Sequence, residues 1–117
     1  MDTWRTWELV LPMLEREHEV LALTLPGHAG GPEVNGPVST DELVDGVERA
    51  MDEAGIELAH LVGNSLGGYL ALQLAARGRA SGVVAFSPAG GWDRGDRSYV
   101  DLLRTQRELQ IQMKAVA

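Results

Sequence analysis

The residues best suited to chemistry stand in the segment 61–78, which reads LVGNSLGGYLALQLAARG. Here Ser65 lies between Gly63 and Gly67, after a short apolar run and before an apolar run of helical length. A serine hydroxyl at its free pKa is a weak nucleophile, so it needs a nearby base and N–H donors for an oxyanion. A sharp strand-to-helix turn would lift the hydroxyl above the carboxyl edge of a sheet and direct the next N–H toward the developing charge. The pattern predicts a nucleophilic serine at the tip of such a turn.

Two simpler roles for this segment fit it less well. A serine that only caps a helix would not need glycine on both sides. A phosphate-binding loop would carry a Lys-Ser or Lys-Thr pair, or the spacing G-x-G-x-x-G, and GNSLGG shows neither. The flanking glycines therefore favour the nucleophile.

Three short apolar runs predict the strands that must hold this turn. They cover residues 19–25, 59–63 and 81–87, and each is bounded by charged or turn-forming residues. Short apolar runs with such boundaries are typical of buried strands. Because helices are predicted between them, the strands must run parallel.

Four helices are predicted around these strands. Apolar residues at helical spacing from Trp4 to Leu14 indicate the first, which Pro12 should kink or shorten. Two others begin at capping boxes, at residues 39–42 and 98–101. The remaining helix covers residues 66–78, directly after the serine turn. Alternating helices and strands predict an α/β fold of three layers, α/β/α, built on a short parallel sheet.

GNSLGG, placed after HLV, resembles the nucleophile elbow G-x-S-x-G of the α/β-hydrolase superfamily. The helix, strand and LPGH loop before it, and SGVVAFSPAGGW after it, resemble the same superfamily in the same order. One departure is Thr24, where many relatives have aspartate before LPGH. The resemblance extends over about residues 4–92 and implies a partial α/β-hydrolase core in residues 1–92. Residues 93–117 would then begin a helical lid over the active site.

The resemblance also implies roles for the residues of GNSLGG. Ser65 would be the nucleophile, and Leu66 would give its backbone N–H to the oxyanion hole. The remaining residues would set the geometry of the elbow: Gly63, Asn64, Gly67 and Gly68. The expected reaction is hydrolysis of an ester, a lactone or a carbon–carbon bond next to a ketone, with no metal and no cofactor.

The usual partners of the serine are not found where the superfamily places them. The acid and the histidine should follow Ser65 along the chain, but the histidines all precede it, at His18, His28 and His60. Asp93 and Asp96 follow the third predicted strand, where some relatives place the acid, although a polar loop is the simpler interpretation. Losing a triad histidine can lower kcat on the order of 10⁶-fold. We therefore expect a piece of a longer hydrolase that is nearly inactive by itself.

A gap in the sheet is a second expected consequence. The superfamily strand that precedes the HG-type oxyanion loop lies between those predicted here at 19–25 and 59–63, and this chain starts after it. Such a gap would leave two unpaired edges nearly 10 Å apart. We expect the two strands to close up beside each other; the alternatives are strand complementation by another chain and a piece that is not stable alone.

The charge and composition of the chain limit which partners it can bind and where it is expected in the cell. The 117 residues suit one domain and carry a formal net charge of −7. An acidic chain is repelled by nucleic acid and by anionic membranes, so a small-molecule substrate is expected. The chain has no cysteine, no secretory signal and no apolar run long enough to span a membrane, which predicts a cytoplasmic protein. Two other functions fit the same scaffold: a non-catalytic binding module and an acyltransferase.

Overall fold

The computed structural model describes residues 3–25 and 39–90, together with five helical residues near the C-terminus: Thr105, Glu108, Leu109, Gln112 and Met113. A 3₁₀ helix, Trp4–Trp7, is followed by one turn of α-helix, α1 (Leu11–Leu14). The remaining elements, in chain order, are α2 (Thr40–Glu53), β1 (Ala59–Asn64), α3 (Leu66–Ala76) and β2 (Ala80–Phe86). His28, Asp93, Asp96 and the capping box at 98–101 lie outside the described residues.

The strands β1 and β2 form a parallel pair, with Leu61 opposite Val83 and Asn64 opposite Phe86. Helix α3 connects them and packs on both, as a parallel pair requires a crossover. The predicted α/β class with a short parallel sheet is therefore confirmed, as are the strands expected near 59–63 and 81–87.

The strand predicted at residues 19–25 is wrong. Residues 19–25 take no regular secondary structure, and the sheet in the described ranges has two strands, β1 and β2. An extended segment becomes a strand only when a neighbour satisfies its backbone N–H and C=O groups, and the expected closure across the one-strand gap does not occur. Glu19 and Leu21 are exposed, so the run is also less buried than its composition suggests.

The helices begin and end where local signals place them. Ser39 Oγ accepts from the Glu42 N–H at 3.2 Å, and Glu42 Oε2 accepts from the Ser39 N–H at 3.2 Å, so the predicted capping box of α2 is confirmed. Gly55 follows α2 at φ 73°, a conformation that glycine adopts without steric cost. Pro12 stands in the first turn of α1, and the N-terminal helix is shortened as expected.

The core lies between α2 and α3 and continues onto one face of the sheet. Leu43 and Val44 of α2 pack with Leu70 and Leu74 of α3, and Leu61 of β1 extends this cluster. On the opposite face, the side chains of Val62, Val84 and Phe86 are about half exposed. Within the described ranges, helices thus cover one face of the sheet, and the second helical layer of the predicted α/β/α arrangement is not among them.

Membrane crossing is not indicated by the helices that the structure describes, since none is both long and apolar enough to span a bilayer.

Candidate active site

Ser65 forms the corner between the last residue of β1 and the first residue of α3. Its backbone has φ 54° and ψ −115°. A non-glycine residue at positive φ costs on the order of 1–3 kcal/mol and persists only where surrounding contacts hold it. The corner is therefore a tight, strained strand-to-helix turn.

Three backbone hydrogen bonds hold this conformation. The Ser65 N–H donates to the Phe86 carbonyl at 2.9 Å. The Ser65 carbonyl accepts from the Tyr69 N–H at 3.1 Å and from the Ala89 N–H at 2.9 Å. The main-chain groups of the serine are thus satisfied by α3, by β2 and by the turn after β2.

The Ser65 side chain stands at the N-cap position of α3 but makes no capping hydrogen bond. A serine that caps a helix has extended φ and ψ and accepts from an N–H of the first turn. Ser39 does both at the start of α2, whereas Ser65 does neither. The residue is partly exposed, and its side chain is not committed to the helix.

The N-terminus of α3 places N–H groups without partners inside the helix next to the serine. Leu66 is the first residue of this helix, and the first four N–H groups of an α-helix have no carbonyl partner within it. The helix dipole adds partial positive charge at the same end. Asn64, the preceding residue, ends β1 with an exposed side chain.

The three glycines of the elbow differ in the room around them. A Cβ on Gly63 would collide with the carbonyl group of Gly67 and would lie 2.6 Å from the Gly68 nitrogen. A Cβ on Gly68 would lie 3.1 Å from the Pro88 Cβ and 3.2 Å from the Gly63 oxygen. At Gly67 it would meet nothing within 4 Å. Steric contact therefore requires glycine at position 63 and leaves little room for a side chain at position 68. At position 67 there is room for one.

The described histidines do not supply a base for Ser65. His60 is exposed near the start of β1, and five residue-to-residue steps along the extended chain place it about 16 Å from the serine. His18 is exposed after α1, where its N–H donates to the Leu14 carbonyl at 3.0 Å. Among the described residues, no group of three or more His, Asp or Glu side chains could hold a metal ion.

Sequence reasoning missed the turn that follows β2. Ser87 has φ 42°, Pro88 lies against the start of α3, and the Ala89 N–H donates to the Ser65 carbonyl at 2.9 Å. One signal was available: the carboxyl ends of neighbouring parallel strands meet at one edge of a sheet, so the Ser-Pro pair after β2 had to lie beside the elbow.

A cluster of charges ties the other end of α3 to α2. Arg77 Nη1 lies 2.6 Å from Asp45 Oδ1 and 2.8 Å from Glu48 Oε2. Hydrogen bonding to Asp45, and next to Glu48, raises the pKa of Arg77. This cluster lies at the end of α3 remote from Ser65, so it bears on stability rather than on the chemistry at the elbow.

Comparison with known proteins decides the family. A family model described as an alpha/beta hydrolase family matches residues 1–113. This chain belongs to the α/β-hydrolase family. The resemblance inferred from GNSLGG is therefore confirmed.

The relatives of this α/β-hydrolase chain include several enzymes. It is 54% identical over 57 residues to epoxide hydrolase EphH of Mycobacterium tuberculosis, covering 49% of the chain and 27% of the relative. It is 38% identical over 110 residues to the dihydrolipoyllysine-residue acetyltransferase component of the acetoin cleaving system of Cupriavidus necator. This match covers 89% of the chain and 29% of the relative. The crystal structure of a meta-cleavage product hydrolase superposes with a TM-score of 0.66 and 34% identity, over 73% of this chain and 34% of that one. The chain thus spans about a third or less of each relative, and its predicted place among the hydrolases by resemblance is confirmed.

Proposed function

We propose that Ser65 is the nucleophile of a hydrolase that cleaves an ester, a lactone or a carbon–carbon bond next to a ketone. The observation that carries this proposal is the backbone of Ser65, held at φ 54° with its hydroxyl free of any capping bond. Strained residues concentrate at functional sites. A serine serving only as a cap would adopt an extended backbone, which costs no such strain.

The proposed reaction follows from the elements around the serine. The Ser65 oxygen attacks the substrate carbonyl carbon, and the carbonyl electron pair moves onto oxygen beside the Leu66 N–H. The leaving group departs when the carbonyl reforms, and water then cleaves the acyl-serine. A base must take the serine proton in the first step. Since no histidine follows Ser65 in this chain, that proton passes to solvent and the isolated chain reacts slowly.

The relatives with named activities indicate the substrate class. The solved structure of a meta-cleavage product hydrolase matches at 34% identity and supports cleavage of a carbon–carbon bond. The acetyltransferase component matches 89% of the chain and supports a second candidate, acyl transfer, in which an alcohol or thiol replaces water. Identifying the acceptor in the products of the acylated protein separates the two.

Covalent labelling of Ser65 tests the nucleophile. The chain is incubated with a fluorophosphonate, with and without added imidazole, and the modified residue is located by mass spectrometry. Imidazole supplies the base that the chain lacks after Ser65, so labelling is expected to be slow alone and to rise with imidazole concentration. Ser65→Ala should abolish it. Ser81→Ala, which changes an exposed serine in β2, should leave it unchanged.

Two results would count against the nucleophile. Equal labelling of the Ser65→Ala variant would show that the probe reacts elsewhere. A folded wild-type chain that stays unlabelled at every imidazole concentration would favour the non-catalytic module.

A further inference from the structure

We infer that the turn after β2, residues 87–90, holds Ser65 in the conformation required for attack, and that Ala89 is its main positioning residue. This inference rests on the proposed nucleophile. It adds a second segment to the site, because it assigns the shape of the elbow to a turn about 20 residues further along the chain.

The first step is the geometry of the two peptide planes that flank Ser65. The Ser65 N–H belongs to the plane before the residue and donates to the Phe86 carbonyl at 2.9 Å. The Ser65 carbonyl belongs to the plane after it and accepts from the Ala89 N–H at 2.9 Å. Because φ and ψ are the rotations about the Cα that joins these planes, a hydrogen bond to each plane restrains both angles. The end of β2 and its turn therefore restrain φ and ψ of Ser65 from both sides.

The helix alone does not supply this restraint. The bond from the Tyr69 N–H to the Ser65 carbonyl, at 3.1 Å, is the ordinary first bond of an α-helix. The same bond forms at the start of α2, where the Leu43 N–H donates to the Ser39 carbonyl at 3.2 Å, yet Ser39 has φ −75°. Two bonds differ at Ser65: its N–H donates to Phe86 of β2, and its carbonyl has a second donor, Ala89.

The turn is built to present that donor. Ser87 takes φ 42°, and two residues later the Ala89 N–H donates to the Ser65 carbonyl at the start of α3. Pro88 has a fixed φ and stands so close to Gly68 that a Cβ there would lie 3.1 Å from the Pro88 Cβ. Strain at Ser87 and close packing at Pro88 thus both serve the single hydrogen bond from Ala89 to Ser65.

Removing the Ala89 donor tests the inference. Ala89→Pro lacks the N–H, whereas Ala89→Ser keeps it and serves as the conservative rescue. We measure the rate of fluorophosphonate labelling at Ser65 in imidazole, the melting temperature, and backbone NMR couplings that report the sign of φ at Ser65. A small displacement of a reacting atom can lower a rate roughly 100-fold. The labelling rate of Ala89→Pro should therefore be lower than that of the wild-type chain by about that factor. Ala89→Ser should label at close to the wild-type rate.

Two readouts separate positioning from general stability. In the wild-type chain, the Ala89 amide should exchange with solvent as slowly as a bonded strand amide. In Ala89→Pro, φ at Ser65 should become negative while the melting temperature shows that the core remains folded. If Ala89→Pro does not fold, Pro88→Gly loosens the same turn without removing the donor, and its labelling rate should fall while its core stays intact.

The two proposals can fail separately. If the wild-type chain is never labelled but φ of Ser65 still depends on Ala89, the proposal of a nucleophile is wrong and the proposal of a positioning turn stands. Wild-type labelling that is matched by folded Ala89→Pro, or by Pro88→Gly where Ala89→Pro does not fold, keeps the nucleophile and overturns the positioning turn. Fast exchange of the Ala89 amide in the wild-type chain would also overturn it.

Discussion

At the scale of single residues, two serines at neighbouring strand ends share an unusual backbone. Ser65 and Ser87, which follow β1 and β2, are the non-glycine residues at positive φ in the described ranges. Each such conformation costs on the order of 1–3 kcal/mol and persists only when its surroundings over-determine it. The hydrogen bonds from Ser65 to Phe86 and from Ala89 to Ser65, both 2.9 Å, provide that determination. Their joint position at one sheet edge supports the site proposed there.

The glycines on either side of Ser65 give a matched prediction. Gly63→Ala places a Cβ against the backbone of Gly67 and Gly68, which a rotamer change cannot relieve, so we expect a loss of about 3 kcal/mol in the free energy of unfolding. Gly67→Ala meets no atom within 4 Å and replaces glycine inside a helix, so stability should stay or rise by up to about 1 kcal/mol. Urea denaturation of both variants checks this.

Equal losses of stability in the two variants would contradict the steric argument, because they would show that a side chain is rejected for a reason other than the contact between Gly63 and the start of α3. An unchanged free energy of unfolding in Gly63→Ala would also contradict it. That result would mean that a Cβ at Gly63 has more room than its 2.6 Å distance to the Gly68 nitrogen allows.

At the scale of elements, what could be predicted depended on the range of the interactions. The start of α2 is set by contacts within residues 39–42, and the sequence predicted it. The run 19–25 needed a neighbouring strand that the described chain does not offer, so its apolar composition misled. The elbow was predictable because its glycines surround Ser65, whereas its contact with Ala89 joins distant residues and left no local pattern.

The connection between α2 and β1 is held by one side chain at the start of β2. Arg79 Nε donates to the Glu57 carbonyl at 2.9 Å, and Nη2 donates to the Ile56 carbonyl at 2.9 Å. Nη2 also lies 2.7 Å from Asp52 Oδ1, and Nη1 lies 3.3 Å from Glu48 Oε1. A planar guanidinium can make these bonds together, because its donors point in fixed directions.

Lysine substitution separates geometry from charge in this cluster. Arg79→Lys keeps the charge but cannot reach both carbonyls and both carboxylates, so its melting temperature should fall clearly. Arg77→Lys is the matched control, since Arg77 contacts Asp45 and Glu48 through one nitrogen that an ammonium can replace. Its melting temperature should change less. Equal shifts would contradict the geometric argument.

The pH dependence of these variants follows from the arginine pKa values. Hydrogen bonding to Asp52 raises the pKa of Arg79 above its usual value, and Asp45 does the same for Arg77. Stability from a raised pKa is fully present below the unfolded pKa and is lost only as pH rises through the folded pKa. The difference between Arg79→Lys and wild type should therefore be constant between about pH 6 and pH 9.

At the scale of the whole molecule, the two faces of the sheet have different surroundings. Val44 of α2 is 1% exposed within the core, whereas Val84 in β2 is 50% exposed on the face that no described helix covers. Val62 is the direct partner of Val84 across the sheet and is similarly exposed, at 48%. Two neighbouring half-exposed valines, with Phe86 beside them, form an apolar strip on this face of the sheet.

Valine-to-threonine substitution at matched positions tests whether that face is open in solution. Threonine has nearly the shape of valine, so the change mainly introduces a hydroxyl. At Val44 the hydroxyl is buried, and the free energy of unfolding should fall by about 2 kcal/mol. At Val84 it meets water, and the change should stay within about 0.5 kcal/mol. Urea denaturation at two protein concentrations measures both. If Val84→Thr instead loses as much as Val44→Thr, something covers this face: a loss that grows with protein concentration indicates a second chain on the sheet, and a concentration-independent loss indicates a segment of the same chain.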